Sequence, residues 1–192
     1  MIRSILLATF TLLFHSLVIA GIAVEPAYIS LNFDKGRASG RFVITNTGDT
    51  EERYRVIASH FTFSEQGALS LAEPNEHSMA EWIKFNPKEF SLPPKSKRVV
   101  RYVVLPKGKL QDGQYWAAME LESLEGRNYS TSDGGGRTFN LKVVPSVLAP
   151  IYGAAGKIER DYTVDKLDLT TSDRNKKVLE VRLSNIGNAV IN

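Results

Sequence analysis

The strongest constraint on the fold is a series of short runs, rich in β-branched and aromatic residues, that recur along the chain between turn signals. Apolar and polar residues alternate along them with the period of a half-buried strand. These runs are residues 28–33, 41–45, 52–63, 98–105, 115–122 and 138–144. Only residues 74–82 form a plausible helical turn, and the polar, glycine-rich stretch 123–137 is interpreted as a long mobile hairpin loop.

Strands at roughly ten-residue spacing, with almost no helix, predict an all-β fold and an immunoglobulin-like β-sandwich. Residues 24–152 supply about seven strands, the number that such a domain needs. A turn at Asp112-Gly113 comes just before Tyr115. A tyrosine placed after a turn at the start of a late strand is typical of the tyrosine corner of these sandwiches, although an ordinary strand tyrosine is the alternative.

Residues 1–23 predict a cleaved secretory signal peptide. Arg3 is their only charged residue, and an apolar run follows it. Gly21 and Ala23 then stand at the −3 and −1 positions of a cleavage site, and cleavage after Ala20 fits as well. The apolar run, about 15 residues, is shorter than the ~20 that span a bilayer, so we expect no membrane span in the mature chain.

The chain of 192 residues contains no cysteine. This excludes a disulfide framework, thiolate metal sites and a cysteine nucleophile. An exported fold without disulfides suits a bacterial envelope protein, so the periplasm is the expected location, with secretion or the cell surface as alternatives. The net charge of +3 is too small to indicate nucleic-acid binding.

Patterns for catalysis or cofactor binding are missing from the sequence. His60 and His77 have no partner at the spacing of a metal site, and the glycine run 134–136 lacks the Lys-Ser/Thr of a phosphate loop. Glu120 and Glu122 alternate with apolar residues, which favours a solvated strand face over an acid/base pair. We therefore expect neither an enzyme nor a cofactor or metal site.

A second, incomplete sandwich is predicted after the first. Residues 153–165 are interpreted as a linker that opens with the small residues 153–156, and residues 166–192 as the beginning of a second β-sandwich domain. The Asn-x-Gly turn at 185–187 repeats the one at 46–48. The stretch after the linker is too short to enclose a core, so we expect the chain to stop inside this domain.

Several motifs resemble the N-terminal domain of PapD-like periplasmic pilus-assembly chaperones. They include a Pro-x-x-Phe-x-Leu-x-Pro run before a strand with Arg-x-Val-Arg, and a strand that ends at Asn46. The other matching positions are Trp82, Pro87, Phe90, Leu92, Pro94, Arg98, Arg101, Asp112, Gly113 and Tyr115. The resemblance covers residues 24–152 and the start of a second domain. Most of these residues pack or turn, so they indicate the fold more directly than the activity.

The resemblance implies donor-strand complementation. In that family the chaperone inserts its last first-domain strand into the hydrophobic groove of a pilin subunit that lacks a strand. The matching strand here is residues 138–147, with Phe139, Leu141 and Val143 as an alternating donor row and Lys142 beside it. The alternative is that this row faces its own core. The implied partners are an exported pilus or surface-fibre subunit and an outer-membrane usher.

The chain departs from the family pattern at the anchor for the subunit's terminal carboxylate. Family members use an arginine on the first strand and a lysine on the last, and these positions fall near Ser30 and Ser146 here, with Lys142 close to the second. Pro145 also interrupts the matching strand. The resemblance therefore does not carry carboxylate anchoring to this chain. The competing hypothesis is a non-enzymatic structural or adhesive immunoglobulin-like module of the cell envelope.

Overall fold

The computed structural model of the chain describes residues 21–190 except 66, 133, 134, 136 and 173. Its regular structure is almost entirely β-strand, with one short 3₁₀ helix at Ala80–Trp82. The strands are β1 (Ile22–Glu25), β2 (Ile29–Asn32), β3 (Ala38–Asn46), β4 (Glu52–Ser59), β5 (Phe61–Phe63), β6 (Leu69–Leu71), β7 (Ile83–Asn86), β8 (Glu89–Leu92), β9 (Lys97–Val104), β10 (Gly113–Ser123), β11 (Arg127–Ser132), β12 (Thr138–Val143), β13 (Ser146–Ala155), β14 (Tyr162–Thr171) and β15 (Lys177–Asn185).

Two sheets pack face to face. One has the strand order β1-β3-β9-β7 and the other the order β2-β13-β10-β4-β8. Neighbours in both sheets are antiparallel, except that β13 and β2 are parallel. Alternate side chains of the two sheets meet in one core, which includes Phe42, Ile44, Met119, Leu121 and Ile151. The predicted all-β, immunoglobulin-like sandwich is confirmed.

The turn before β10 forms a tyrosine corner. The Tyr115 hydroxyl accepts a hydrogen bond from the Gln111 N–H at 3.1 Å and donates to the Gln111 carbonyl at 3.3 Å. A bond from this hydroxyl to backbone a few residues upstream defines the feature. The Tyr115 ring lies 5.0 Å from that of Trp82, which meets Phe33 edge-on at 6.2 Å. The corner therefore fixes the turn to the core.

Asn46 and Asn185 end β3 and β15 with the same side-chain hydrogen bonds. Each amide group donates to the carbonyl four residues downstream, at 2.7 and 2.8 Å, and each side-chain oxygen accepts from the N–H two residues downstream, at 2.9 and 3.0 Å. Asn46 is buried and also donates to the Leu92 carbonyl at 3.0 Å, which ties β3 to β8. The repeat seen in the sequence is therefore a repeated turn geometry.

The hairpin of β14 and β15 is the described part of the predicted second unit. Lys166 donates a hydrogen bond to Glu180 at 2.8 Å and lies 3.3 Å from Asp168, and these two hydrogen bonds raise the pKa of Lys166. The cross-strand neighbours Leu169 and Leu179 are 69% and 60% exposed. The hairpin thus has no core of its own within the described residues, and its role as the start of a second sandwich stays a prediction.

The predicted linker, residues 153–165, differs from the structure at both ends. β13 continues to Ala155 and β14 begins at Tyr162, so the connection between the two units is residues 156–161. Gly153 is a packing residue, because a Cβ at this position would overlap the Phe33 ring. One of the small residues that suggest a linker in the sequence therefore makes room for an aromatic ring inside the sandwich.

Of two other local expectations, the first is wrong and the second is correct in part. The stretch 123–137 is not one loop, since it contains β11, which pairs with β12. Its polar composition hid this strand, because alternation marks a strand only where one face is buried. The predicted helical turn at 74–82 is a turn in which the Asn75 side chain accepts from the His77 N–H at 3.0 Å, followed by the 3₁₀ helix.

Residues 1–20 of the predicted signal peptide lie outside the described residues. The Gly21 carbonyl accepts a hydrogen bond from the Thr47 N–H at 3.0 Å, and Ile22 is partly buried against the core. Cleavage after Ala20 would leave β1 whole, whereas cleavage after Ala23 would remove its first two residues. No helix in the described part of the chain is long and apolar enough to cross a membrane.

The tyrosine corner predicts the effect of removing one hydroxyl. We expect Tyr115→Phe to lower the free energy of unfolding by about 1–2 kcal/mol, because the Gln111 backbone groups lose a partner in a part-buried site. The matched control is Tyr28→Phe, at a tyrosine that is 63% exposed, with an expected change within about 0.5 kcal/mol. Urea denaturation measures both, and equal effects would rule out a stabilising corner.

Candidate partner-binding edge

The predicted donor row lies on a two-stranded ribbon. β12 pairs with β11, and all six of its residues are exposed. Phe139, Leu141 and Val143 are 55%, 61% and 41% exposed and alternate along one face of β12, with Lys142 on the other face. The row therefore does not pack into the core of its own sandwich, which was the alternative.

A bulge joins the ribbon to the sandwich. The Ser123 N–H donates to the Pro145 carbonyl at 3.1 Å, while Arg127 is the register partner of Val143. Between these two pairs the chain advances four residues on one strand, from 123 to 127, and only two on the other, from 145 to 143. The extra residues form a bulge, which bends the ribbon at this point. Gly126 has φ of +65°, and a Cβ there would lie 3.0 Å from the Val143 carbonyl oxygen, so both conformation and space require glycine.

One edge of β13 is paired along only part of its length. β2 pairs with β13 from Ile151 onward, through the register Ile151 with Ile29 to Ala154 with Asn32. The Ala154 carbonyl accepts from the Phe33 N–H, whereas the Pro145 carbonyl faces β10. Even-numbered residues of β13 therefore turn their backbone groups away from β10.

The unpaired side of β13, at residues 146–150, is continuous with the side of β12 that does not face β11. Ser146, Leu148 and Pro150 direct backbone groups to a side of β13 along which no strand of the described residues lies. We call residues 139–150 the open edge. An unpaired strand edge is a template on which another chain can add a strand.

The two prolines of this segment are compatible with strand addition. The nitrogen of Pro145 faces the β10 side, so this proline removes no donor from the open edge. The nitrogen of Pro150 faces the open edge, where β2 has not yet begun. Ser146 and Leu148 therefore carry the N–H groups that β13 can offer to an added strand.

Serines occupy both positions at which the resemblance would place the anchor. Ser30 on β2 is the register partner of Tyr152, and the Ser146 hydroxyl donates a hydrogen bond to Glu120 at 3.3 Å. Residues 21–34 and 143–156, all of them described, contain no lysine or arginine. Lys142 is the cation of the open edge and lies four residues before Ser146, whereas at Ser146 itself the neighbouring charged group is the acidic Glu120.

The outer face of the five-stranded sheet carries charges on three strands. Arg55 on β4 donates a hydrogen bond to Glu89 on β8 at 2.9 Å, and lies 3.7 Å from Glu122 on β10. The hydrogen bond to Glu89 and the attraction of its charge raise the pKa of Arg55. This arginine therefore serves two of the carboxylates on this face.

The other residues of the resemblance lie in packing and turn positions. Trp82, Phe90, Leu92 and Tyr115 pack in or against the core, Pro87, Pro94, Asp112 and Gly113 lie at or beside turns, and Arg98 and Arg101 are exposed on β9. The Arg98 guanidinium lies 6.0 Å from the centre of the Phe90 ring. These positions support the fold and do not form part of the open edge.

The sequence did not reveal an aromatic cluster on the outer face. His60 and His77 stack on Trp116 at 5.8 and 5.2 Å, and the Trp116 indole donates to the Phe61 carbonyl at 2.9 Å. The Phe61 ring meets Tyr152 edge-on at 6.1 Å, and burial raises the pKa of Tyr152. Both histidines pack on an aromatic ring, and the residues described include no group of three or more histidines and carboxylates placed to hold a metal.

Comparisons with known proteins agree with this geometry at the level of the fold. No family model and no curated protein matches the sequence. The YadV chaperone superposes with a TM-score of 0.51 at 8% identity, and the class 5 fimbriae chaperone CfaA with 0.50 at 11%; each match covers 88% of this chain and 68% of the other. A structure of a CFA/I fimbriae chaperone–tip adhesin complex also matches, with a TM-score of 0.50 at 11% identity over the same shares. The chain has the fold of PapD-like fimbrial chaperones.

The exposure of the row predicts that its side chains do not stabilise the fold. We expect Leu141→Ala to change the free energy of unfolding by less than about 0.5 kcal/mol. The matched change Leu121→Ala, at a leucine that is 1% exposed, should cost about 2–5 kcal/mol. Chemical denaturation distinguishes the two. A large loss for Leu141→Ala would mean that the row packs against the sandwich after all.

Proposed function

We propose that this chain is a non-enzymatic, chaperone-like protein of the bacterial periplasm that binds exported pilus or surface-fibre subunits by strand addition along the open edge. The observation that carries the proposal is an unpaired edge continuous with an exposed apolar row. Phe139, Leu141 and Val143 lie on the same stretch of chain as the outward backbone groups of Ser146 and Leu148. Strand addition uses both features, since the backbone supplies hydrogen bonds and alternate side chains fill pockets.

The energetics of the edge favour an occupied state. An aliphatic or aromatic side chain gains about 1.5–3 kcal/mol on full burial, so the three residues of the row are costly to leave in water. An unpaired apolar edge is also an aggregation hazard that proteins ordinarily block with charges or cover. A groove that lacks one strand is a partner that satisfies the side chains and the backbone together.

The fold neighbours support the same class of partner. YadV and CfaA are chaperones by name, and the CFA/I structure is a complex of a chaperone with a tip adhesin. The predicted signal peptide fits export to the compartment in which such subunits travel. An outer-membrane usher as a second partner follows from the family resemblance alone.

Site-specific crosslinking in cells tests the proposal. A benzophenone amino acid replaces Asn140 on the open edge or, as the control, Ser39, which is exposed on the opposite sheet. We expect a covalent adduct with an exported, strand-deficient subunit from position 140 and not from position 39. Adding Leu141→Glu should reduce the adduct at least tenfold, because a carboxylate cannot enter an apolar pocket.

Two outcomes would contradict strand donation. One is the same set of adducts from both positions, and the other is adduct formation that Leu141→Glu leaves unchanged. A chain built stably into a surface assembly, and cleaved by protease added to intact cells, would favour the structural or adhesive module instead.

A further inference from the structure

The open edge lies beside a carboxylate that has only hydroxyl partners. Glu120 on β10 accepts hydrogen bonds from the Ser59 hydroxyl at 2.5 Å and from the Ser146 hydroxyl at 3.3 Å. Among the residues that the structure describes, no lysine or arginine forms an ion pair with it. Glu89 and Glu122, by contrast, share Arg55. The negative charge of Glu120 is thus uncompensated next to the edge.

The hydrogen bonds from Ser59 on β4 and Ser146 on β13 together fix the position of this charge. Ser146 is the first residue of β13 and one whose backbone faces the open edge. The Glu120 carboxylate therefore lies over β10, between Ser59 on β4 and Ser146 on β13, and β13 separates it from any strand that adds at the open edge. Neighbouring strands are about 4.8 Å apart, so the extended side chain of a lysine or arginine on the added strand can reach across β13 toward this carboxylate. Leu148 is the register partner of Glu120, and the smaller Ser146 beside it leaves room for that side chain.

Adding a strand would also change the environment of Glu120. An edge that is covered loses water, and a lower local dielectric strengthens the attraction between opposite charges and the repulsion between like charges. A carboxylate on the added strand near Ser146 would meet Glu120 across this drier space. A cation would meet it with attraction and would satisfy its remaining lone pairs.

We propose that the strand recognised by the open edge carries a lysine or arginine next to Ser146, and that this cation pairs with Glu120. The inference rests on the proposed function and names the partner more closely, as a strand-forming segment with alternating apolar residues and a basic side chain on its other face. Recognition by this charge takes the place of the carboxylate anchor, because the two anchor positions are occupied by Ser30 and Ser146 and the lysine of the open edge, Lys142, lies four residues away from Ser146.

Binding of defined peptides to the full chain tests this pairing. Three fluorescent peptides with blocked ends alternate valine and threonine over eleven positions and carry lysine, glutamine or glutamate at one central threonine position. At low ionic strength we expect the lysine peptide to bind about fivefold more tightly than the glutamate peptide, with glutamine between them. The difference should shrink as salt is added.

Substitutions on the protein locate the charge that discriminates. Glu120→Gln should abolish the preference, and Ser146→Lys should reverse it by supplying a cation from the protein itself. The matched control is Glu89→Gln, which removes the same charge from the same face but at β8, beyond the strand of Arg55, and should keep the preference. Circular dichroism verifies that each variant is folded.

The outcomes separate this inference from the function on which it rests. Equal binding of the three peptides would overturn the inference and leave strand addition intact. A preference that survives Glu120→Gln would also overturn it, because another group would then read the charge. Failure of the folded chain to bind any of the peptides would contradict strand addition as well as the pairing.

Discussion

The structure depends most on how β13 satisfies its backbone hydrogen bonds. Along one side the strand pairs with β10 over ten residues, which places the Tyr115 corner and the Gly153–Phe33 contact in the core. Along the other side β2 pairs with four residues. The short reach of β2 therefore divides β13 into a closed half that completes the sandwich and an open half that needs a partner. The ribbon of β11 and β12 extends this open half and adds apolar side chains to it.

Features governed by local chemistry were predictable from the sequence. The two-residue alternation indicated the sandwich, the turn before Tyr115 indicated its corner, and the Asn-x-Gly repeat corresponds to real hydrogen bonds of Asn46 and Asn185. Features governed by distant packing were not predictable. Gly153 suggested the start of a linker because the sequence cannot show that the Phe33 ring fills the space beside it. Likewise, Pro145 lies just before β13 and Pro150 within it, and only the ladder shows which side of the strand each nitrogen faces.

The features of the open edge also divide into those that the sequence could predict and those that it could not. Phe139, Leu141 and Val143 could be chosen from alternation and resemblance, but whether they faced the core or solvent depended on a bulge at Gly126 that has no periodic signal. Glu120 looked like part of an ordinary solvated face. Its distinction lies in its neighbours, since Arg55 is placed between Glu89 and Glu122 and leaves Glu120 with two serine hydroxyls. This unequal sharing of one arginine among three glutamates arises only when β8, β4 and β10 lie side by side in the sheet.

The position of Pro150 gives the open edge a definite end. An added strand can take hydrogen bonds from Ser146 and Leu148, but at Pro150 the donor is missing, and one residue later β2 occupies the same side. The hydrogen-bond ladder between β13 and an added strand therefore ends at Pro150, about one strand length after Phe139. A partner strand can be held in one register at this boundary, because its ladder with β13 cannot continue past it. The proline thus makes an otherwise adhesive surface into a site of fixed length.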